Sequence, residues 1–167
     1  MSLCPPKRFT IISDTHNHHA GVRVRASDFL VVCGDFTHRG SDREVASFLS
    51  WVGAQPVRNV VMVLGNHERH SRLSATAMDR IRRVEGLHLV NGFQSIDNVL
   101  FFGRSWPFAP PAAEEVRAID RTQPLVVVTH EPPFEVMDWI VKEKRMTNRR
   151  YYHGGSWQLR EFVDATT

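Results

Sequence analysis

Only two cysteines, Cys4 and Cys33, occur among the 167 residues. That excludes a disulfide framework and predicts a reduced, cytoplasmic protein. Cys33 closes an apolar run, where a free cysteine behaves as a small buried hydrophobe. No apolar run reaches the roughly 20 residues a membrane-spanning helix needs. The opening Met1-Ser2-Leu3-Cys4-Pro5-Pro6 lacks a signal peptide's apolar core, so no membrane partner is expected. A Lys/Arg-rich arm is also missing. The densest basic cluster, Lys142 to Arg150, is broken by Glu143, Met146 and Asn148. It reads as a solvated helix face or loop, which argues against a nucleic-acid partner. Repeats, low-complexity tracts and linkers are absent, and 42% of the residues are hydrophobic. These features predict one globular domain over residues 1–167 with enough apolar material for a core. A net charge of +3 fits an anionic substrate.

What is present is organised around Val60-Val61-Met62-Val63-Leu64, which runs into Gly65-Asn66-His67-Glu68. Five apolar residues, mostly β-branched, predict a buried parallel strand. The pattern recurs three times. Phe9 to Ser13 runs into Asp14-Thr15-His16, Phe29 to Cys33 into Gly34-Asp35, and Leu125 to Thr129 into His130. In an open α/β sheet, ligands sit beyond the C-terminal ends of the strands. Four such ends carrying metal-capable side chains define one candidate site.

Between these runs, Ser41-Asp42-Arg43-Glu44 is a capping-box pattern. It predicts a helix to about Val52 with Val45, Phe48, Leu49 and Val52 on one face. A second helix is predicted over Ala75 to Arg83. Leu87 to Val90, Phe93 to Ile96 and Val99 to Gly103 read as short strands, with a two-residue turn at Asp97-Asn98. This change from crossovers to a meander predicts a second sheet packed on the first. A further helix is expected from Ala112 to about Asp120, and a last one from Ser156 as cap. Residues 132–155 give no clear pattern.

Asp and His suit Mn, Fe and Zn. In an Asp-x-His pair at a strand end, alternate residues share a side and can reach one ion. A carboxylate such as Asp35 can bridge two cations, Asn66 offers an amide oxygen and His130 a ring nitrogen. Two cations about 3.5–4 Å apart suit in-line displacement at phosphorus. Any one of these residues alone would more often be a helix cap or a solvated side chain; their conjunction carries the reading.

Asp14-Thr15-His16, Gly34-Asp35, Gly65-Asn66-His67-Glu68 and Thr129-His130 resemble, in order and spacing, the motifs of the calcineurin-like metallophosphoesterases. Gly34-Asp35-Phe36-Thr37 and Thr129-His130-Glu131-Pro132-Pro133 resemble most the metallophosphoesterase-domain-containing branch, allied to class III cyclic-nucleotide phosphodiesterases. The resemblance spans essentially the whole chain. It implies an α/β two-sheet sandwich flanked by helices, and two divalent ions, Mn first, with Fe, Zn or Ni as alternatives. By position, Asp14 and His16 would hold the first metal, Asp35 would bridge, and Asn66 and His130 would hold the second. His67 would stand at the leaving group, making His67 and Asp35 the catalytic residues. Asn66, His18, His70 and Trp106 are candidate substrate contacts, with Trp106 also readable as a core aromatic between the sheets. His19 and His38 read as solvated loop residues.

Two departures from the family pattern shape further expectations. Glu131 stands where close relatives carry glycine, placing an extra carboxylate at the pocket. The family's Gly-His-x-His does not follow the helix after Ser156, and His153-Gly154-Gly155 does not replace it. The expected fold is therefore truncated before its C-terminal strands, with one imidazole fewer per metal and an unpaired sheet edge that favours a homo-oligomer. The activity implied is hydrolysis of a small phosphoester or nucleotide-like diester by water that the ions activate. The alternatives are a non-catalytic scaffold or binding module of the same fold, and a nuclease, which would need a continuous basic groove.

Overall fold

The computed structural model describes residues 6–68, 73–143 and 149–166. Strands β1 (Phe9–Ile12), β2 (Ser27–Val32), β3 (Val57–Met62) and β4 (Leu87–Leu89) form a parallel sheet in that spatial order. Helix α1 (Asp42–Gly53) links β2 to β3, and α2 (Ala75–Arg83) links β3 to β4. The predicted capping box is present. Ser41 Oγ accepts from the Glu44 N–H, and the Glu44 carboxylate accepts from the Ser41 N–H at 2.8 Å.

A second sheet has the order β5 (Gly92–Ile96), β6 (Val99–Arg104), β7 (Leu125–Thr129), with α3 (Ala113–Arg117) between the last two. Asp97 and Asn98 both have positive φ, 49° and 62°, as a two-residue hairpin turn of matching twist requires. Strand β7 runs parallel to β6. A separate hairpin, β8 (Trp139–Glu143) with β9 (Arg149–His153), precedes α4 (Trp157–Thr166).

Side-chain alternation along the strands builds the layers. Leu30 and Val32 of β2, with Val60 and Met62 of β3, pack under Val45 and Phe48 of α1 and Ile81 of α2. Their sequence neighbours Phe29, Val31 and Val61 face the other way, onto Ile96, Val99, Phe101 and Val128 of the second sheet. Phe102, next to Phe101, turns outward to meet Phe108 and the α4 residues Leu159 and Phe162. The result is an α/β sandwich of two sheets with helices on both outer faces.

Several boundaries differ from expectation. The strand expected from Val60 starts at Val57, directly after Pro56, and its regular pairing ends at Met62. The helix expected from Ala112 to Asp120 is only Ala113–Arg117. Strand β4 joins the first sheet, pairing Val60↔Leu87 and Met62↔Leu89, instead of opening the meander. The hairpin in residues 132–155 went unread because the link between its strands, residues 144–148, lacks a Gly-containing turn signature.

Candidate metal centre

Because β1, β2 and β3 are parallel, their C-terminal ends lie along one edge, and the three motif loops meet there. The loop after β1 runs beside the loop after β2. Asp14 N–H donates to Gly34 O at 3.1 Å, His16 N–H to Asp35 O at 3.0 Å, and Asn17 N–H to Phe36 O at 3.1 Å. The loops turn through left-handed backbone at Asp14 (φ 55°), His16 (φ 41°), Asn17 (φ 70°) and Asp35 (φ 51°). Such conformations cost energy in non-glycine residues and cluster at functional sites. At Gly34 and Gly65 no side chain fits. A Cβ at Gly34 would stand 2.6 Å from Gly65 N, and one at Gly65 would stand 2.6 Å from Asp35 N.

Asp35, 3% exposed, is the hub. Its Oδ2 faces His130 Nε2 at 3.6 Å, His67 Nε2 at 3.8 Å and His16 Nε2 at 3.9 Å. Its Oδ1 accepts the His67 N–H at 2.8 Å. Each of the three imidazoles is held from behind by a backbone carbonyl. His130 Nδ1 lies 2.9 Å from Cys33 O, His67 Nδ1 2.6 Å from His38 O, and His16 Nδ1 3.2 Å from Thr37 O. A neutral ring donating through Nδ1 leaves its Nε2 lone pair aimed at the hub, the arrangement that metal-binding histidines use. Asn66 Oδ1 stands 2.9 Å from His130 Nε2. In the neutral ring those are two facing acceptors, which a shared cation would reconcile.

Two sets of ligand atoms lie within 4.8 Å of one another: Asp14, Asp35 and His130, and His16, His38 and His67. The first is a mixed oxygen and imidazole set and the second is all imidazole; both kinds of donor suit first-row divalent ions. The residues present therefore fit a pair of divalent cations. Asp14 is exposed, and Ser13 Oγ donates to its carboxylate.

Beneath the hub lies a residue whose role the sequence did not disclose. Glu68 is fully buried, and its carboxylate accepts from Asp35 N–H and Thr37 N–H, both at 2.7 Å, Thr37 Oγ1 at 2.6 Å and Gly65 N–H at 3.1 Å. It ties the loop after β3 to the loop after β2. Burial pushes its carboxyl up; the hydrogen bonds from Thr37 and Gly65 oppose this, and the Asp35 carboxylate adds to the rise.

A cleft of about 640 Å³ opens over the imidazoles, lined by His16, Asn17, His18, His38, Glu44 and His67. His18 thus reaches the pocket. His38, expected to be solvated, is exposed but belongs to the cluster. His19, expected in solvent, is instead buried at 3% exposure, edge-on to Phe48 and 3.2 Å from Ser47 Oγ; burial, aided by His18, holds its pKa down. Trp106 is half-buried outside the core clusters and does not line the cleft, although its N–H donates to Leu64 O at 2.8 Å. Glu131 turns away to accept the Phe108 N–H at 2.7 Å, so it does not load the pocket with charge. His153 pairs with Asp138 at 2.8 Å on the separate hairpin. His70 falls outside the described residues. Burial, helped by the Asp14 charge, pushes the Cys33 thiol up to about 11, leaving it inert as expected of a strand-end hydrophobe.

Comparison with known proteins supplies the family. The model of the calcineurin-like phosphoesterases matches residues 7–165. UPF0046 protein K07C11.7 of Caenorhabditis elegans is 28% identical over 162 residues, covering 84% of this chain and 56% of that protein. Human metallophosphoesterase domain-containing protein 1 is 38% identical over 61 residues, 36% of this chain and 19% of that one. The chain therefore spans about half the length of the worm relative, and the human match is confined to a shorter stretch.

Proposed function

Since the chain belongs to the calcineurin-like phosphoesterase family, we propose that it is a metal-dependent phosphodiesterase acting on a small nucleotide-like diester, with Mn²⁺ as its working ion, in the cytoplasm. One observation carries the reading: the buried Asp35 carboxylate faces three imidazole nitrogens, each ring pinned by a backbone carbonyl. In this reading Asp14, His16, Asp35, Asn66 and His130 hold two cations, with Asp35 shared between them. Bound divalent ions supply charge for the phosphoryl oxygens and acidify water.

The chain's own groups do the rest. Left-handed backbone at Asp14, His16 and Asp35 and the close Gly34–Gly65 approach fix the donors in advance, so little reorganisation is left for the reaction. His67, anchored through Nδ1 to His38 O, presents Nε2 toward the cleft, where it would protonate the leaving oxygen. His18 and Asn66 are the proposed substrate contacts. Association of two copies through an unpaired sheet edge is part of the same proposal.

The test is hydrolysis of bis-p-nitrophenyl phosphate with Mn²⁺ added and then chelated. Turnover that appears with the metal and vanishes with the chelator supports the reading. Tight metal retention with no turnover of this or any nucleotide diester would instead make the chain a binding module.

A further inference from the structure

We infer that His38 is a further metal donor, adding its imidazole to the His16 side of the centre. The inference rests on the metal-dependent reading above and extends it to a residue that no sequence motif singled out.

In that reading His67 serves the leaving oxygen. His16 and His38 are then the imidazoles of the three-histidine cluster that remain free to share an ion. The His38 ring centroid lies 6.2 Å from that of His16, edge-on, and 5.7 Å from that of His67. Among the described residues its ring nitrogens have no hydrogen-bond partner, whereas the rings of His16 and His67 are both pinned through Nδ1.

The root of His38 is also fixed. Its own N–H donates to Glu44 Oε1 at 3.3 Å, Arg39 N–H to Glu44 Oε2 at 3.2 Å, and Gly40 N–H to Thr37 Oγ1 at 3.1 Å. Glu44 Oε1 also accepts from Asn17 Nδ2 at 2.5 Å, binding the loop of His38 to the loop of His16. A free ring on a tethered backbone, beside a pinned imidazole, is an arrangement suited to a ligand.

The distances allow it. Two nitrogens on one ion stand at most about 4.2 Å apart, twice an ordinary metal–nitrogen bond. The cluster's ligand atoms lie within 4.8 Å, so the exposed His38 ring needs only a small rotation to close. A second imidazole would also make this ion's shell richer in nitrogen, which favours Zn²⁺ and Ni²⁺ over Mn²⁺.

The experiment is calorimetric titration of the whole chain with Mn²⁺ and, separately, Zn²⁺, for the wild type, His38→Gln and His67→Gln. Because His38 is exposed, His38→Gln should leave the apo melting curve unchanged. The inference predicts that His38→Gln weakens one binding step by about 10–100-fold, the scale on which loss of a supporting partner already acts. The loss should be larger for Zn²⁺ than for Mn²⁺, and the other step should stay as in the wild type. Two wild-type steps in His38→Gln for both metals would overturn it. A wild type that takes up no ion would defeat the metal-dependent reading as well, and an ion lost in His67→Gln but not in His38→Gln would move the third donor to His67.

Discussion

At the scale of single residues, His16, His67 and His130 each commit Nδ1 to a backbone carbonyl and turn Nε2 toward Asp35. His67 is the most informative, because the proposal assigns its ring to the leaving oxygen while its backbone N–H donates to Asp35. His67→Gln should therefore lower turnover by about 10²–10⁴-fold, the usual contribution of an acid–base group, with Mn²⁺ content unchanged. Steady-state rates and elemental analysis on the same preparation check this; parallel loss of metal and activity would contradict it. The strand-end residues of the candidate centre were legible in the sequence because each of Asp14, Asp35, Asn66 and His130 follows an apolar run. Glu68 was legible only as a motif letter. Its four donors come from Asp35, Thr37 and Gly65, and that convergence exists only once β2 and β3 lie side by side. Similarly, His19 looks like one of a pair of loop histidines, and only the packing of Phe48 and Trp51 over it makes it a core residue.

At the scale of elements, α1 does more than cover the sheet. Its N-terminal Glu44 closes the capping box and also accepts from His38 N–H, Arg39 N–H and the Asn17 amide. Burial pushes the Glu44 carboxyl up, but hydrogen bonds from Ser41 N–H, the Asn17 amide, Ser41 Oγ and Arg39 N–H outweigh it and bring it down to about 2. A carboxylate depressed in the folded state adds stability that is complete above its unfolded value, near 4.5, and is lost as pH falls toward 2. Glu44→Gln, which can still cap the helix, should therefore flatten the loss of stability between about pH 4.5 and pH 2. Denaturant melts across that range measure it, and a slope equal to that of the wild type would exclude the role. Helix α1 was readable from its capping box and periodicity, and the ranges expected for α1 and α2 fall within a residue of those observed. Strand β4 was not legible, because three residues, Leu87-His88-Leu89, carry no information about which sheet they join; the parallel pairing with Val60 to Met62 is a tertiary contact.

At the scale of the molecule, the two-sheet sandwich followed from switching between crossover and meander, and the three packing layers bear it out. Among the described residues, the first sheet ends at β1, which shows Ile11 at 67% exposure and Phe9 at 37% beside an edge with no further strand. An edge of this kind invites another strand, so equilibrium sedimentation at micromolar concentration should find dimers, and Ile11→Lys should dissociate them. A wild type that stays monomeric throughout would remove the edge from the proposal. The whole arrangement places one buried carboxylate where two sheets and four strand ends meet. The most direct test is the Mn²⁺ retained after desalting by wild type and Asp35→Asn, which differ by a single oxygen-for-amide exchange at the hub. The account predicts that the variant loses most of its metal while keeping the wild-type fold by circular dichroism; an Asp35→Asn protein holding as much Mn²⁺ as the wild type would contradict it.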